Sequence, residues 1–162
     1  MSKISVYRIY SSARASTAME GFGAAEHPGR WNHEGFRVIY SSENLQLAQL
    51  ELLAYLNEPC SGFEWISPQI PKTIFAKRNR ITVSELNEVV FDWRAHPAPV
   101  TLREMGTDWL NSAKSLIMEV PSVVSPEGTN YLINPLHPEF KKVKWEPAKA
   151  IEWDPRLFKA EK

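Results

Sequence analysis

The sequence predicts an α+β fold. Short apolar runs rich in β-branched and aromatic residues recur along the 162 residues and read as strands. Two longer stretches carry helix-start signals, and twelve prolines punctuate irregular connections. The length suits one domain with one core, spanning residues 1–162.

Val6 to Tyr10 reads as the first strand. Ser11 to Asn32 is polar and contains glycine, without clear periodicity, which points to a functional loop. Phe36 to Tyr40 reads as a second strand. Ser41 and Ser42 can cap a helix from Glu43 to Asn57 that Pro59 ends. Further strands are expected over Phe63 to Ile70, Thr73 to Lys77, Leu116 to Val120, Asn130 to Ile133 and Lys149 to Trp153. Thr101-Leu102-Arg103-Glu104 has the form of a capping box opening a second helix through Ala113.

Composition excludes several classes. Nineteen basic residues balance nineteen acidic ones, leaving no electrostatic footprint for nucleic acid. Cys60 is the single cysteine, so an intramolecular disulfide and a thiolate metal cluster are both out of reach; it reads as an incidental loop residue. The four histidines form no metal-binding pattern, and no metal site is expected. No apolar run reaches the roughly 18–20 residues that cross a bilayer. The first eight residues lack the apolar stretch of a secretory signal. The expectation is a cytoplasmic chain with no membrane contact.

The first helix holds a residue that does not fit it. At about 100° per residue, Gln46, Gln49 and Asn57 share a polar stripe, while Glu51 falls nearly opposite, among Leu47, Ala48, Ala54 and Tyr55. A carboxylate there points inward or into a cleft, and needs either a structural partner or a task. Gly29-Arg30-Trp31-Asn32 sets a guanidinium beside a glycine and an indole. That is either a solvated Arg–Trp pair or a clamp for phosphate with a stacking face. Tyr40, at a strand-to-helix corner near Glu51, is either a core residue with a wet hydroxyl or part of the same site. No G-x-S-x-G elbow surrounds Ser122, and neither a G-x-G-x-x-G nor a G-K-[ST] phosphate loop is present.

In combination these segments resemble the RES family, named for signature Arg, Glu and Ser residues. The matching blocks are Tyr7-Arg8, Gly29-Arg30-Trp31-Asn32 with Gly35, Val38-Ile39-Tyr40, and Ala48 through Glu51 to Leu53. They continue with Gly106, Trp109-Leu110, Val120-Pro121-Ser122, Asn130 to Pro135 and His137-Pro138, in family order along nearly the whole chain. The stretch from Lys72 to Arg94 matches little.

The resemblance implies an ADP-ribosyltransferase-like core of two packed small β-sheets with surrounding helices. It implies a type II toxin that degrades NAD, by hydrolysis or with phosphate as acceptor, and takes NAD as substrate without a separate cofactor. Its partner would be an Xre-type helix-turn-helix antitoxin that blocks the cleft. Carried over residue by residue, Arg30, Tyr40 and Glu51 are catalytic. Arg8, Trp31, Asn32, Ser41, Ser122 and Asn130 are substrate-binding.

Two other functions compete. One transfers ADP-ribose to a protein; Gln49-Leu50-Glu51 has the Q-x-E form seen in many ADP-ribosyltransferases, although Gln49 falls on the polar stripe. The other is a non-catalytic binding module whose six tryptophans line a groove, although their scatter through apolar segments suits core packing.

Overall fold

The computed structural model describes residues 2–56 and 61–158. The expected loop role of Cys60, and the helix end at Asn57 before Pro59, therefore lie outside the described residues. The chain opens with β1 (Lys3–Ser5) and β2 (Arg8–Ser11), passes α1 (Phe22–Glu26) to β3 (Ile39–Ser42), and enters α2 (Leu45–Leu56). Then come β4 (Phe63–Ile66), β5 (Pro68–Pro71), α3 (Lys72–Phe75), β6 (Asn79–Arg80), α4 (Val83–Val89) and α5 (Val100–Ser112). The remainder is β7 (Ile117–Pro121), β8 (Thr129–Ile133), β9 (Lys144–Trp145) and β10 (Lys149–Ala150).

The class is α+β, as the sequence predicts. The strands form three sheets, in the orders β1-β5-β9, β10-β4-β2 and β3-β8-β7-β6. The first two are the ends of one bent antiparallel pair. Lys3 to Ser5 face Pro71 to Gln69, and Arg8 to Ser11 face Ile66 to Phe63. At the bend the Val6 N–H donates to the Pro68 carbonyl at 3.2 Å, and the Ser67 hydroxyl donates to the Val6 carbonyl at 2.9 Å. Tyr7, freed there from its partner strand, pairs instead with Ser42. That bridge brings Arg8 on β2 beside Tyr40 on β3.

Strand alternation then sorts the core. Ile39, Ile117 and Ile133 point from the four-stranded sheet toward Val6 and Ile70 of the bent pair. Tyr40, Met118 and Leu132 point the other way, toward Trp31, Trp93, Leu102 and Trp109. Burying each such aliphatic side chain contributes about 1.5–3 kcal/mol. Trp31, Trp93 and Trp109 are thus core residues.

Several local expectations are corrected. Thr73 to Lys77, expected as a strand, contributes to the single helical turn α3; Pro71 ends β5, and proline has no N–H with which to continue a ladder. Ser41 and Ser42 lie in β3 rather than capping α2, and Asn44 takes the cap, its Oδ1 accepting the Leu47 N–H at 2.8 Å. Thr101 makes no capping box, because α5 has already begun at Val100 behind Pro99. The same T-x-x-E pattern does form a box at Thr82 and Glu85, opening α4. Phe63 to Ile70 breaks at Ser67 into β4 and β5, and only Lys149–Ala150 of the last expected strand is paired. Among the described residues, no helix is long and apolar enough to cross a membrane.

Candidate active site

One cavity of about 350 Å³ opens between β2, β3, α2 and the loop through Gly29. Arg8, Arg30, Trp31, Tyr40, Ser41, Glu51 and Asn130 all line it. Asn32 and Ser122, the other two residues carried over from the family, are fully buried and stand behind its walls.

Glu51 reaches the cavity because α2 packs along β2 and β3. The side chain is anchored through one oxygen. Oε1 accepts from the Ser122 hydroxyl at 2.7 Å and from the Asn130 side-chain amide at 2.6 Å. Ser122 is the donor, since a carboxylate oxygen only accepts, and its own oxygen also accepts the Ser125 N–H at 3.0 Å. Oε2 has no hydrogen-bond partner among the described residues. The chemistry available at this wall is one hydrogen-bond-accepting oxygen carrying negative charge.

Tyr40 presents the opposite arrangement. Its hydroxyl donates to Asn32 Oδ1 at 2.7 Å and accepts the Trp31 N–H at 3.1 Å. The Asn32 amide cannot turn round, because its nitrogen donates to the carbonyls of Ala24, His33 and Phe36. Burial pushes the Tyr40 phenol well above its ordinary range, while the Trp31 N–H and nearby Arg103 and Arg30 oppose the rise. The cavity therefore meets the Tyr40 ring and finds its hydroxyl already engaged. Trp31 lines the cavity but is only 3 % exposed, and it packs into the core. Ser41 likewise spends its hydroxyl on the Tyr131 carbonyl at 2.6 Å.

Two guanidiniums complete the lining. Arg8 donates to the carbonyls of Ala18 and Tyr40 at 2.8 and 3.1 Å. Burial pushes it down to about 10, so it remains cationic at neutral pH. Arg30 donates to the carbonyls of Trp93 and Ala95 at 2.9 and 3.1 Å. Burial lowers it too, opposed by the charges of Glu51 and Asp92. Carbonyls orient a guanidinium without neutralising it, and neither arginine forms an ion pair among the described residues. Two desolvated cations held by carbonyls rather than by ion pairs suit an anionic ligand.

Two glycines of the family blocks act through close packing, and the role of Ser42 was not legible in the sequence. Gly29 lies so close to Tyr40 that a β-carbon would stand 2.7 Å from its hydroxyl oxygen. Gly106 lets α5 approach the Arg30 loop, where a β-carbon would stand 1.8 Å from the Trp31 carbonyl oxygen. Ser42, read as a helix cap, instead donates to Asn130 Oδ1 at 2.7 Å. Only pairing across the sheet reveals that last contact. Among the described residues no cluster of His, Cys, Asp and Glu is suited to a metal ion.

The fold and this cavity define a class of protein, and comparison with known proteins gives its family. The RES domain family model matches residues 5–154, and the chain belongs to that family. It is 33 % identical over 156 residues to Toxin Res of Yersinia enterocolitica, covering 94 % of this chain and 98 % of that protein. It is 32 % identical over 160 residues to the Prs ADP-ribosylating toxin of a Sphingobium species, covering 96 % and 97 %. The M. tuberculosis MbcT-MbcA toxin-antitoxin complex contains a chain of the same fold. That match has a TM-score of 0.64 at 15 % identity, covering 96 % of this chain and 87 % of that one.

Proposed function

We propose that this chain is the enzymatic toxin of a toxin–antitoxin pair and depletes cytoplasmic NAD by cleaving its nicotinamide–ribose bond. The observation that carries the reading is Glu51, held through Oε1 with Oε2 unengaged, in one cavity with two arginines that form no ion pair among the described residues. A volume of about 350 Å³ falls within the range of small-molecule sites. Membership of the RES family, with relatives named as toxins, supports the toxin role.

Nicotinamide in NAD is a cationic leaving group. When its bond to the ribose breaks, the electron pair stays on the ring nitrogen and neutralises it, so no acid is required. The barrier lies in the oxocarbenium ion left on the ribose. Glu51 Oε2 accepts a hydrogen bond from a ribose hydroxyl and sets negative charge beside that cation. The acceptor oxygen then bonds to the anomeric carbon, and its proton passes to Oε2 or to solvent. Arg30 and Arg8 hold the diphosphate, and the Tyr40 ring packs on the nicotinamide riboside. Asn32 and Ser122 serve indirectly, by holding Tyr40 and Glu51, and Asn130 both lines the cavity and anchors Glu51.

The partner in this reading is an Xre-type helix-turn-helix antitoxin that covers the cavity. Tyr55, 79 % exposed on the cavity rim, is surface that such a partner would bury. A second reading, transfer of ADP-ribose to a protein, draws support from the printed name of the Sphingobium relative. Gln49 weighs against it: its amide donates to the Glu152 carbonyl at 3.3 Å, and it does not line the cavity.

Incubation with NAD, with and without inorganic phosphate, followed by mass spectrometry tests the reading. Nicotinamide with free ADP-ribose, or with its phosphate, is the expected outcome. Labelled protein in place of free product would favour transfer, and no nicotinamide release would refute both.

A further inference from the structure

We infer that Ser42 is a positioning residue for Glu51, acting through Asn130, and that this relay reserves Oε2 as the single carboxylate oxygen that meets the substrate. The inference rests on the reading of Glu51 as the reacting carboxylate.

The argument follows the protons. An ionised carboxylate only accepts hydrogen bonds. The Asn130 group 2.6 Å from Glu51 Oε1 is therefore the NH2 end of its amide, and the oxygen end faces Ser42. That oxygen needs a donor, so the Ser42 hydroxyl, 2.7 Å away, must point its proton at Asn130. Ser42 is only 4 % exposed, and its hydroxyl is the donor that meets Asn130 Oδ1 among the described residues. Ser122 closes the other side. Its oxygen accepts the Ser125 N–H, and its proton goes to Oε1, the acceptor it meets among the described residues. Oε1 thus faces two obligate donors. Any proton that Glu51 takes up, and any ribose hydroxyl it holds, belongs on Oε2.

Ser42 stands on β3 and Asn130 on β8, in register across the sheet. The antiparallel pairing, not the helix that carries Glu51, thus sets the carboxylate's orientation. Removing the Ser42 hydroxyl takes the protein donor from Asn130 Oδ1 and frees the amide to turn its oxygen toward Glu51. Two acceptors would then face each other, and the carboxylate would swing from its place.

The test is Ser42→Ala, read by turnover and by NMR. The expected result is a roughly 10- to 100-fold fall in kcat with KM for NAD within about twofold, and no further loss when combined with Glu51→Gln. Without any NAD, the side-chain NH2 resonances of Asn130 should shift and exchange faster with solvent in Ser42→Ala. Wild-type kcat, an equal loss in the Glu51→Gln background, or unchanged Asn130 resonances would overturn the relay. Should Ser42→Ala fail to fold, Asn130→Asp keeps the acceptor for Ser42 and removes the donor to Glu51, and wild-type kcat there would overturn it equally. A wild-type protein inert toward NAD would instead refute the NAD reading, leaving the NMR comparison to decide the relay.

Discussion

The two walls of the cavity use the same device to opposite ends. On the Glu51 wall a half-buried amide, Asn130, binds one carboxylate oxygen and leaves its twin unengaged. On the Tyr40 wall a buried amide, Asn32, binds the single hydroxyl oxygen and leaves only a ring. One wall thus offers a charge-bearing acceptor atom, and the other offers shape. The difference teaches that a tyrosine and a glutamate facing the same space need not share acid–base work.

The walls also differ in how tightly they are built, and this gives the largest expected effect. A β-carbon at Gly106 would stand 1.8 Å from the Trp31 backbone oxygen, which cannot yield without moving the Arg30 loop. At Gly128, beside the Glu51 wall, it would stand 2.9 Å from Leu47 Cδ2, the end of a flexible side chain, and 3.1 Å from the Ser125 backbone oxygen, a far looser approach than at Gly106. Gly106→Ala should therefore cost about 3 kcal/mol or more, and Gly128→Ala about 1 kcal/mol. Chemical denaturation of both variants measures this; equal costs would show that the Arg30 wall can yield.

Arg30→Ala comes next, with an expected loss of about 100-fold in kcat/KM for NAD, carried largely by KM. Steady-state kinetics at several NAD concentrations read the split. A loss confined to kcat would move Arg30 from holding the diphosphate to the reacting bond.

Tyr40→Phe sharpens the contrast further. The ring survives, so turnover should fall by less than about tenfold. The Trp31 N–H loses its acceptor, which should cost about 1–3 kcal/mol of stability. A fall of about 1,000-fold in turnover would instead make the hydroxyl a participant in the chemistry.

The smallest effect concerns alkaline pH. A phenol whose value is raised in the folded state contributes stability that is fully present below its unfolded value of about 10. That contribution is lost as pH rises through the folded value, because burial opposes the phenolate first. Thermal unfolding of the wild type should lose ground to Tyr40→Phe only above about pH 10. Divergence near pH 8 would mean that the hydroxyl is not sequestered.

How much of this was legible in the sequence follows from the range of the interactions. Glu51 stood out because helical periodicity is local, and a carboxylate opposite the polar stripe breaks it. The α+β class followed from equally local patterning. The capping box expected at Thr101 does not form because Pro99 starts α5 early, which the T-x-x-E pattern does not reveal. For Trp31 the sequence left open a solvated pair or a stacking face, because no local signal shows that α5 approaches its backbone through Gly106. Ser42 was lost for the same reason: its partner Asn130 lies 88 residues away, and only the β3–β8 register joins them. The residues that meet the cavity left local marks, while those that hold them in place depend on pairing across the fold.

The most direct test of the account is nicotinamide release at saturating NAD by Glu51→Gln beside the wild type, with NAD affinity measured on both. The account predicts a fall of about 1,000-fold in release with affinity within about threefold. Wild-type release from Glu51→Gln would contradict it.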